Sequence, residues 1–456
     1  MPTQNKKQIG LLLAWLSCFS APTQAEDLLT LYHLALANDP TFLASEAEMR
    51  ATNEVVPQAF SRLLPSAQVT LSTTAHDYDL LIPKSRFNTH GYTVNLTQPI
   101  FHPDYFSQLK QASHQKQIGV ISYALKKQQL ILRISQIYFD LLASLDDLRF
   151  AKSQRTVFTK ELEQAQQRFE VGLVAITEVH EAKAKRDLAL AREVSTKNTV
   201  ANNKEKLIEI VGVDFQGLAP LQKEITFHKP LPEDKNIWVQ AALKHNLELQ
   251  IAQKNSAIAK YDIFNARFGH LPTVDLQASK DKSKVPPTSF LPDKEVFTNN
   301  TVSLNVTVPL FQGGAIVSKT RQASAKLDQA NREVDLQVRT RSSKTSQAYR
   351  SIHSSISEAH ALSQAVISNQ SALSAVRAAY EVGTRTILEV LAAETDVLSA
   401  QRDFSKARYK YVIEGLNLKS ESGSLNEEDM IQINQLLIQN ISSWPEQYLP
   451  VNYFSE

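Results

Sequence analysis

The sequence predicts a mainly helical chain with four β-strands, organised as two tandem repeats. Three observations predict this fold. First, FEVGLVAITEV at residues 169–179 returns as YEVGTRTILEV at residues 380–390, 211 residues later. Second, no proline occurs within residues 104–219 or 310–444, and because proline ends or kinks helices, these spans are predicted to be helical. Third, the segments before these spans alternate apolar and polar residues, the period of a β-strand.

The N-terminal segment carries the signs of an export signal. Lys6 and Lys7 precede an apolar run, and small residues ending at Ala25 would suit a signal peptidase, so the mature chain is expected to begin at Glu26. Removing residues 1–25 leaves 47 basic and 47 acidic residues, a balance that does not favour nucleic-acid binding. Cys18, the only cysteine, lies in this segment, so the mature chain should contain no disulfide.

The repeats and the proline positions divide the chain into five segments. Each repeat is expected to contain a helical segment, a β-hairpin and a long helical hairpin. The segments are a signal peptide (1–25), the first repeat (26–217), a linker (218–236), the second repeat (237–424) and a C-terminal segment (425–456). The helical segments that open the two repeats are expected at about 28–61 and 237–268.

Each proline-free span is predicted to fold as a hairpin of two long helices that turns at a glycine, Gly172 in the first and Gly383 in the second. Apolar residues three or four positions apart form a stripe along the first helix: Leu130, Ile134, Ile137, Leu141, Leu145 and Leu148. A helix over 104–171 would be ~100 Å long. Helices of this length must pack against neighbours for much of their length, as in coiled coils or helical barrels.

The strands are predicted from alternation around 92–97 and 301–308, with weaker alternation at 68–72 and 274–278. No stretch beyond the signal approaches the ~18 to 20 apolar residues of a membrane helix, so a membrane span would have to be made of strands. Four strands cannot close a barrel in lipid, because the edge groups would stay unpaired. Two chains would supply eight strands and three chains twelve; a soluble sheet covered by helices fits the same pattern.

Several motifs resemble the TolC family of outer membrane factors, the trimeric channel-tunnels of Gram-negative outer membranes. They are RFEVGLVAITEV (168–179), GHLPTVDL (269–276), VPLFQGG (308–314), GTRTILEVLAAET (383–395) and ARYKYVIEGLNLKS (407–420). The resemblance covers nearly the whole mature chain in the same order. It implies a homotrimer in the outer membrane lipid, with a twelve-stranded β-barrel continued by an α-helical barrel across the periplasm.

The resemblance also implies a function. The chain would be the exit duct of tripartite multidrug efflux pumps and type I protein secretion systems, a passive pore with a periplasmic gate. Its partners would be a periplasmic adaptor and an inner-membrane transporter of the RND or ABC type. The sequence does not identify the cargo or the pump.

Residues at the two hairpin turns match the family's gate. By resemblance, Tyr380 and Arg385 form a latch whose partners are Thr177 and Glu178, and Glu389 lines the pore constriction. In a trimer, three Glu389 carboxylates would favour cations and raise their own affinity for protons.

The sequence departs from the family one turn after Glu389. Ala392 stands where a close relative in this family has a second aspartate, and the nearby Glu394 has a different helical phase. We therefore expect one acidic ring instead of two, and weaker block by multivalent cations.

No pattern in the sequence predicts an enzyme. The eleven histidines show no HExxH spacing. Gly313 and Gly314 lack the other residues of a phosphate loop and stand where a strand is followed by a helix, so no cofactor or metal is expected. The alternative class is a periplasmic coiled-coil scaffold or adaptor without a pore. Such a protein would also be long, helical and exported, but adaptors pair one helical hairpin with compact β domains.

Overall fold

The structure is a computed structural model that describes residues 26–78, 85–215, 217–222, 225–285 and 295–438. The predicted signal peptide and residues 439–456 of the C-terminal segment lie outside the described residues. No helix within these ranges is both long and apolar enough to cross a bilayer.

The first copy of the repeat contains three short helices, a β-hairpin and two long helices. In chain order they are α1 (Leu28–Asn38), α2 (Pro40–Asn53), α3 (Val55–Ser61), β1 (Ser66–Tyr78), β2 (Ser85–Phe101), α4 (Pro103–Glu170) and α5 (Ile176–Val211). The segment at 28–61 is thus three helices instead of one. Asp39 ends α1 and caps α2 by accepting from the backbone N–H groups of Thr41 and Phe42, while Pro40 supplies no N–H of its own.

The second copy repeats this order with two short helices. Its elements are α6 (Lys235–His245), α7 (Leu247–Phe268), β3 (Thr273–Val285), β4 (Glu295–Thr307), α8 (Ala315–Glu381) and α9 (Ile387–Glu421), and a final helix, α10 (Glu427–Gln435), follows. The segment at 237–268 is broken at Asn246, whose side chain caps α7 by accepting from the N–H groups of Glu248 and Leu249.

The helices of each hairpin differ in length. The first helices, α4 and α8, have 68 and 67 residues and are therefore ~100 Å long. The second helices, α5 and α9, have 36 and 35 residues, about half that length. Towards the strands, α2, α3 and α7 pack against α4 in place of α5, and α6 and α7 pack against α8 in place of α9.

The four strands form one antiparallel sheet in the order β1-β2-β3-β4. Val94 of β2 lies opposite Val69 of β1 and Lys280 of β3, which fixes the register of the central pairs. One face of the sheet carries exposed apolar side chains, among them Leu71 (80% exposed) and Val302 (77%), and the other is polar. Within the described residues, β1 and β4 pair with no further strand, so both edges of the sheet are open.

The main core lies near mid-length of the long helices. Leu28, Leu31 and Tyr32 of α1 are fully buried there, in a core cluster that also contains residues of α4, α5, α9 and α10. In the second copy, Arg341 of α8 is buried between two carboxylates: its guanidinium lies 2.6 Å from Glu248 of α7 and 3.1 Å from Glu421 of α9. These contacts tie the ends of α7 and α9 to the middle of α8.

The linker and the C-terminal segment wrap this same region. Leu218 bridges to Glu26, and Leu221 bridges to Leu437 beyond α10. Phe227 of the linker packs edge-on against rings of α8 and α9, including Tyr411 at 5.2 Å. The linker and the C-terminal segment therefore connect with each other and with α8 and α9 in the middle of the helical region.

Candidate functional site at the hairpin tips

Both helical hairpins turn through the same backbone motif. After α4, the N–H of Gly172 donates to the Phe169 carbonyl and the next N–H donates to Arg168; Gly383 and its neighbour repeat this pattern after α8. Gly172 and Gly383 have φ values of +75° and +79°. This is the Schellman arrangement, which needs a left-handed residue and so favours glycine.

The start of α9 carries a polar network. The Thr386 hydroxyl accepts from the Glu389 backbone N–H at 3.3 Å, and the Glu389 carboxylate accepts from the Thr386 backbone N–H at 2.7 Å. Arg385 donates to the other oxygen of Glu389 at 2.5 Å. This is a capping box reinforced by an arginine. The Thr386 N–H, followed by Arg385 and the Thr386 hydroxyl, lowers the pKa of Glu389 to about 2.

The start of α5 lacks this network. Ala175 stands at the capping position and has no side chain that could accept a hydrogen bond. Glu178, the equivalent of Glu389, lies 3.6 Å from Arg168 on α4 instead. Leu388 of α9 lies beside these two residues, so the second hairpin contacts the first one near its tip.

The remaining predicted site residues are exposed. Tyr380 is 43% exposed on the last turn of α8, and Thr177 is exposed on the first turn of α5. Within the part of the chain that the structure describes, the side chains of both have no hydrogen-bond partner. The predicted links of Tyr380 and Arg385 to Thr177 and Glu178 are not formed in a single chain, since Arg385 binds Glu389 and Glu178 binds Arg168.

Next to the predicted latch, a second ion pair joins the two arms of the hairpin. Arg377 of α8 lies 2.6 Å from Glu394 of α9. Ala392, between Glu389 and Glu394, is exposed and adds no charge. In one chain, Glu394 is therefore paired with Arg377 of α8, whereas Glu389 binds Arg385 and Thr386 at the start of its own helix.

Among the described residues, no group of three or more His, Cys, Asp or Glu side chains is placed to hold a metal ion. The groups at the tips are hydroxyls, carboxylates and guanidinium ions on two adjoining hairpins. Such an arrangement can exchange hydrogen bonds and ion pairs when the hairpins move.

Two features of the tips were not predicted from the sequence. Thr386, three residues before Glu389, is the signature of a capping box and could have been found from the sequence. The pairing of Arg377 with Glu394 joins residues 17 positions apart across the turn, and no local pattern predicts it.

Comparison with known sequences gives a family match. Residues 31–213 and 238–424 match the family described as Outer membrane efflux protein. The chain is 35% identical over 468 residues to Outer membrane protein TolC of Escherichia coli, covering 98% of this chain and 92% of that protein. It is 27% identical over 441 residues to the alkaline protease secretion protein AprF of Pseudomonas aeruginosa, covering 94% of this chain and 91% of that protein.

Comparison with solved structures supports the fold. The CmeC outer membrane channel of Campylobacter jejuni superposes with a TM-score of 0.73 at 16% sequence identity, covering 89% of each chain. The VceC outer membrane protein of Vibrio cholerae superposes with a TM-score of 0.70 at 18% identity, covering 87% of this chain and 96% of that one.

Proposed function

The chain belongs to the outer membrane efflux protein family, and on this premise we propose that it forms a trimeric exit duct in the outer membrane. Three chains would each contribute four strands to one twelve-stranded β-barrel, and their helices would continue the barrel across the periplasm. The observation that carries this proposal is the sheet of a single chain, which within the described residues is open at both edges and is apolar on one exposed face.

The sheet needs partners for two physical reasons. In lipid, the unpaired N–H and C=O groups of β1 and β4 would each cost several kcal/mol, and only strands of other chains can pair them in a closed barrel. The apolar face would then contact lipid, while the polar face would line the lumen. Eight strands would leave a lumen filled by side chains, whereas twelve leave room for water. Twelve strands therefore suit a duct.

We propose that the duct serves both drug efflux and type I protein secretion. The efflux role is supported by the family to which the chain belongs, and the secretion role by relatives named for protease secretion. A passive duct needs an energy source elsewhere, so its partners would be a periplasmic adaptor and an inner-membrane RND or ABC transporter. Transport of this kind uses no catalytic group, and we assign the chain no enzymatic activity.

The hairpin tips would form the gate. Tyr380 and Arg385 would bind Thr177 and Glu178 of the adjoining hairpin, in the same or a neighbouring chain, and hold the duct closed. Arg385 would then exchange or share its present partner, Glu389. Each such link contributes ~0.5 to 3 kcal/mol, so a few can close a gate that a docking adaptor can still open.

Glu389 would form the constriction. Three copies around the trimer axis would make one acidic ring that favours cations, and Ala392 would leave the next turn uncharged. Block by multivalent cations should therefore be weaker than in a relative with two acidic rings. Equal block in planar bilayers would contradict a single ring.

The experiment that tests this function is single-channel recording of the purified protein in planar bilayers. The wild-type trimer should insert and conduct weakly, and the double variant Tyr380→Phe with Arg385→Ser should conduct more. Arg377→Ser is the matched control, because it removes a neighbouring arginine from an ion pair outside the proposed latch. Unchanged conductance in the double variant would contradict the proposed latch. A wild-type protein that never inserts into the bilayer would contradict the proposed duct.

The alternative, a periplasmic coiled-coil scaffold or adaptor without a pore, makes an opposite prediction in cell fractionation. A scaffold would be recovered from the soluble periplasm without detergent. The exposed apolar side chains of β1 and β4, such as Leu71 and Val302, favour extraction with the outer-membrane fraction.

A further inference from the structure

The apolar face of the sheet changes character along the strands. Residues opposite each other in the register share a face, and so do residues two positions apart. The face that contains Val94, Leu276 and Val302 therefore continues, farther from the helices, with the side chains of Lys280, Lys282 and Lys284 of β3. On the proposed barrel, this is the outer face.

These three lysines form an unpartnered basic column. All three are exposed, and within the described residues none makes an ion pair or a side-chain hydrogen bond. Asp281, although next to them in sequence, lies on the opposite face and accepts from the Thr93 hydroxyl at 2.7 Å. The one acid on the outer face of the described strands is Asp77, which lies 2.9 Å from Arg86. On the outer face of the described strands, no carboxylate therefore pairs with the column.

The position of the column along the barrel can be estimated from the strand β2. Lys280 is opposite Val94 and Lys284 is opposite His90, seven and eleven residues from the end of the strand at Phe101. At ~3.3 Å per residue and a tilt of ~40°, these positions lie roughly 18 and 28 Å above Phe101. The apolar band of an outer-membrane barrel is about 25 Å tall. The column therefore spans the outer edge of this band, with Lys280 just inside it and Lys284 just beyond it.

This edge is where lipid headgroups meet water. Long lysine side chains near such an edge extend their ammonium groups to the headgroup layer while their methylene groups stay in contact with lipid. Tyr92, directly opposite Lys282, has the side chain type that is enriched at the same level. Successive lysines of the column are ~6.6 Å apart, so two neighbours can contact one headgroup that carries more than one phosphate.

We propose that Lys280, Lys282 and Lys284 bind the phosphate groups of an anionic outer-leaflet lipid, with one such site on each chain of the trimer. This inference rests on the proposed barrel, which makes the apolar face the lipid-facing one. The ligand is a membrane lipid rather than free phosphate, because the ammonium groups rise directly from an apolar surface that would contact the acyl chains.

The test uses the purified trimer in detergent and lipopolysaccharide as the probe, with binding followed by native mass spectrometry. The triple variant K280Q/K282Q/K284Q should lose about 10-fold to 100-fold in apparent affinity. The triple variant with arginine at the same positions should keep its affinity. A matched control, K183Q/K326Q/K344Q, removes the same charge from exposed lysines of the helices and should bind like wild type.

Two further measurements identify the ligand. Lipopolysaccharide without its phosphates should bind wild type as weakly as the glutamine variant binds the intact lipid, and millimolar inorganic phosphate should not compete. Equal binding by the wild type and the glutamine variant would overturn the proposal, and so would indifference to the removal of phosphate or competition by free phosphate.

Conductance of the same preparation separates this inference from the proposed function. A conducting wild-type channel whose lipid binding ignores the three lysines would refute the lipid site alone. A preparation that never conducts would refute the barrel on which the site depends.

Discussion

Exchanging the capping residues of the two hairpin tips gives a test in which the unchanged tip of each variant is the internal control. Thr386 caps α9 through its hydroxyl, whereas Ala175 occupies the same position before α5 and caps nothing. The backbone is already alike at the two positions: φ and ψ are −93° and 157° at Thr386, and −78° and 154° at Ala175. A threonine at 175 can therefore cap without a change in the backbone.

The expected magnitudes follow from the hydrogen bonds involved. Thr386→Ala removes the bond that the hydroxyl accepts from the Glu389 N–H at 3.3 Å and the one that it donates to the Glu389 carboxylate at 3.0 Å. Loss of a threonine cap costs about 1 kcal/mol, which is a factor of about five in an opening equilibrium. Ala175→Thr should stabilise the start of α5 by a similar amount.

Hydrogen-exchange mass spectrometry measures both effects. In Thr386→Ala, amides in the first turn of α9 should exchange about five times faster, and in Ala175→Thr those of α5 should exchange about five times more slowly. Each variant leaves the other tip as an internal control. If Ala175→Thr leaves exchange unchanged, the capping position does not govern the stability of the tips and the reasoning is refuted.

The lowered pKa of Glu389 adds a dependence on pH. Its pKa in the folded protein is about 2, below the usual 4.5 of a glutamate, so the carboxylate stabilises the folded tip above pH 4.5 and this stabilisation is lost as the pH falls towards 2. Protection of the first turn of α9, corrected for intrinsic exchange, should fall across this range, and Glu389→Gln should abolish the dependence. A pH profile that the glutamine variant shares would assign the effect to another group.

Two predictions concern the middle of the helical region. Gly423→Ala should destabilise the folded protein far more than Gly383→Ala. Both glycines have positive φ, but only at Gly423 would an added Cβ meet backbone atoms, 2.5 Å away. Equal shifts of the two variants in thermal unfolding would contradict this. Arg341→Met should cost about 3 kcal/mol in chemical unfolding because it leaves two carboxylates beside each other. Arg332→Met, which removes an arginine whose side chain is 85% exposed, should cost less than about 1 kcal/mol. Similar costs would mean that burial does not set the strength of the Arg341 contacts.

Much of the fold could be predicted because its signals are long and repeated. The spans without proline correspond to hairpins, and the recurring FEVG and YEVG segments mark their turns. The breaks at Pro40 and Asn246 were missed, although an N-cap residue is present at each. The strand β3 extends farther than its alternation indicated, since Lys280 and the following lysines interrupt the apolar pattern that marks a buried or lipid-facing side.

Less of the candidate site could be predicted from the sequence. The residue types at Tyr380, Arg385 and Glu389 indicated a polar tip, but their partners depend on which surfaces meet. The contact of Arg385 with Glu389 is local, four residues along one helix, and is predictable in principle. Contacts between hairpins depend on the packing of separate helices, which no local spacing encodes.

Because the two helices of each hairpin differ in length, the length of the helical region could change without a change in the rest of the fold. Between its tip and the end of its second helix, α5 or α9, each hairpin consists of two helices only. The sheet and the linker lie outside this part. Seven residues added to each of the four arms, two helical turns apiece, would lengthen the tunnel by ~10 Å and return the packing faces to nearly the same phase. Chains of this fold with longer or shorter hairpins could thus span cell envelopes of different width, with no change to the strands in the membrane.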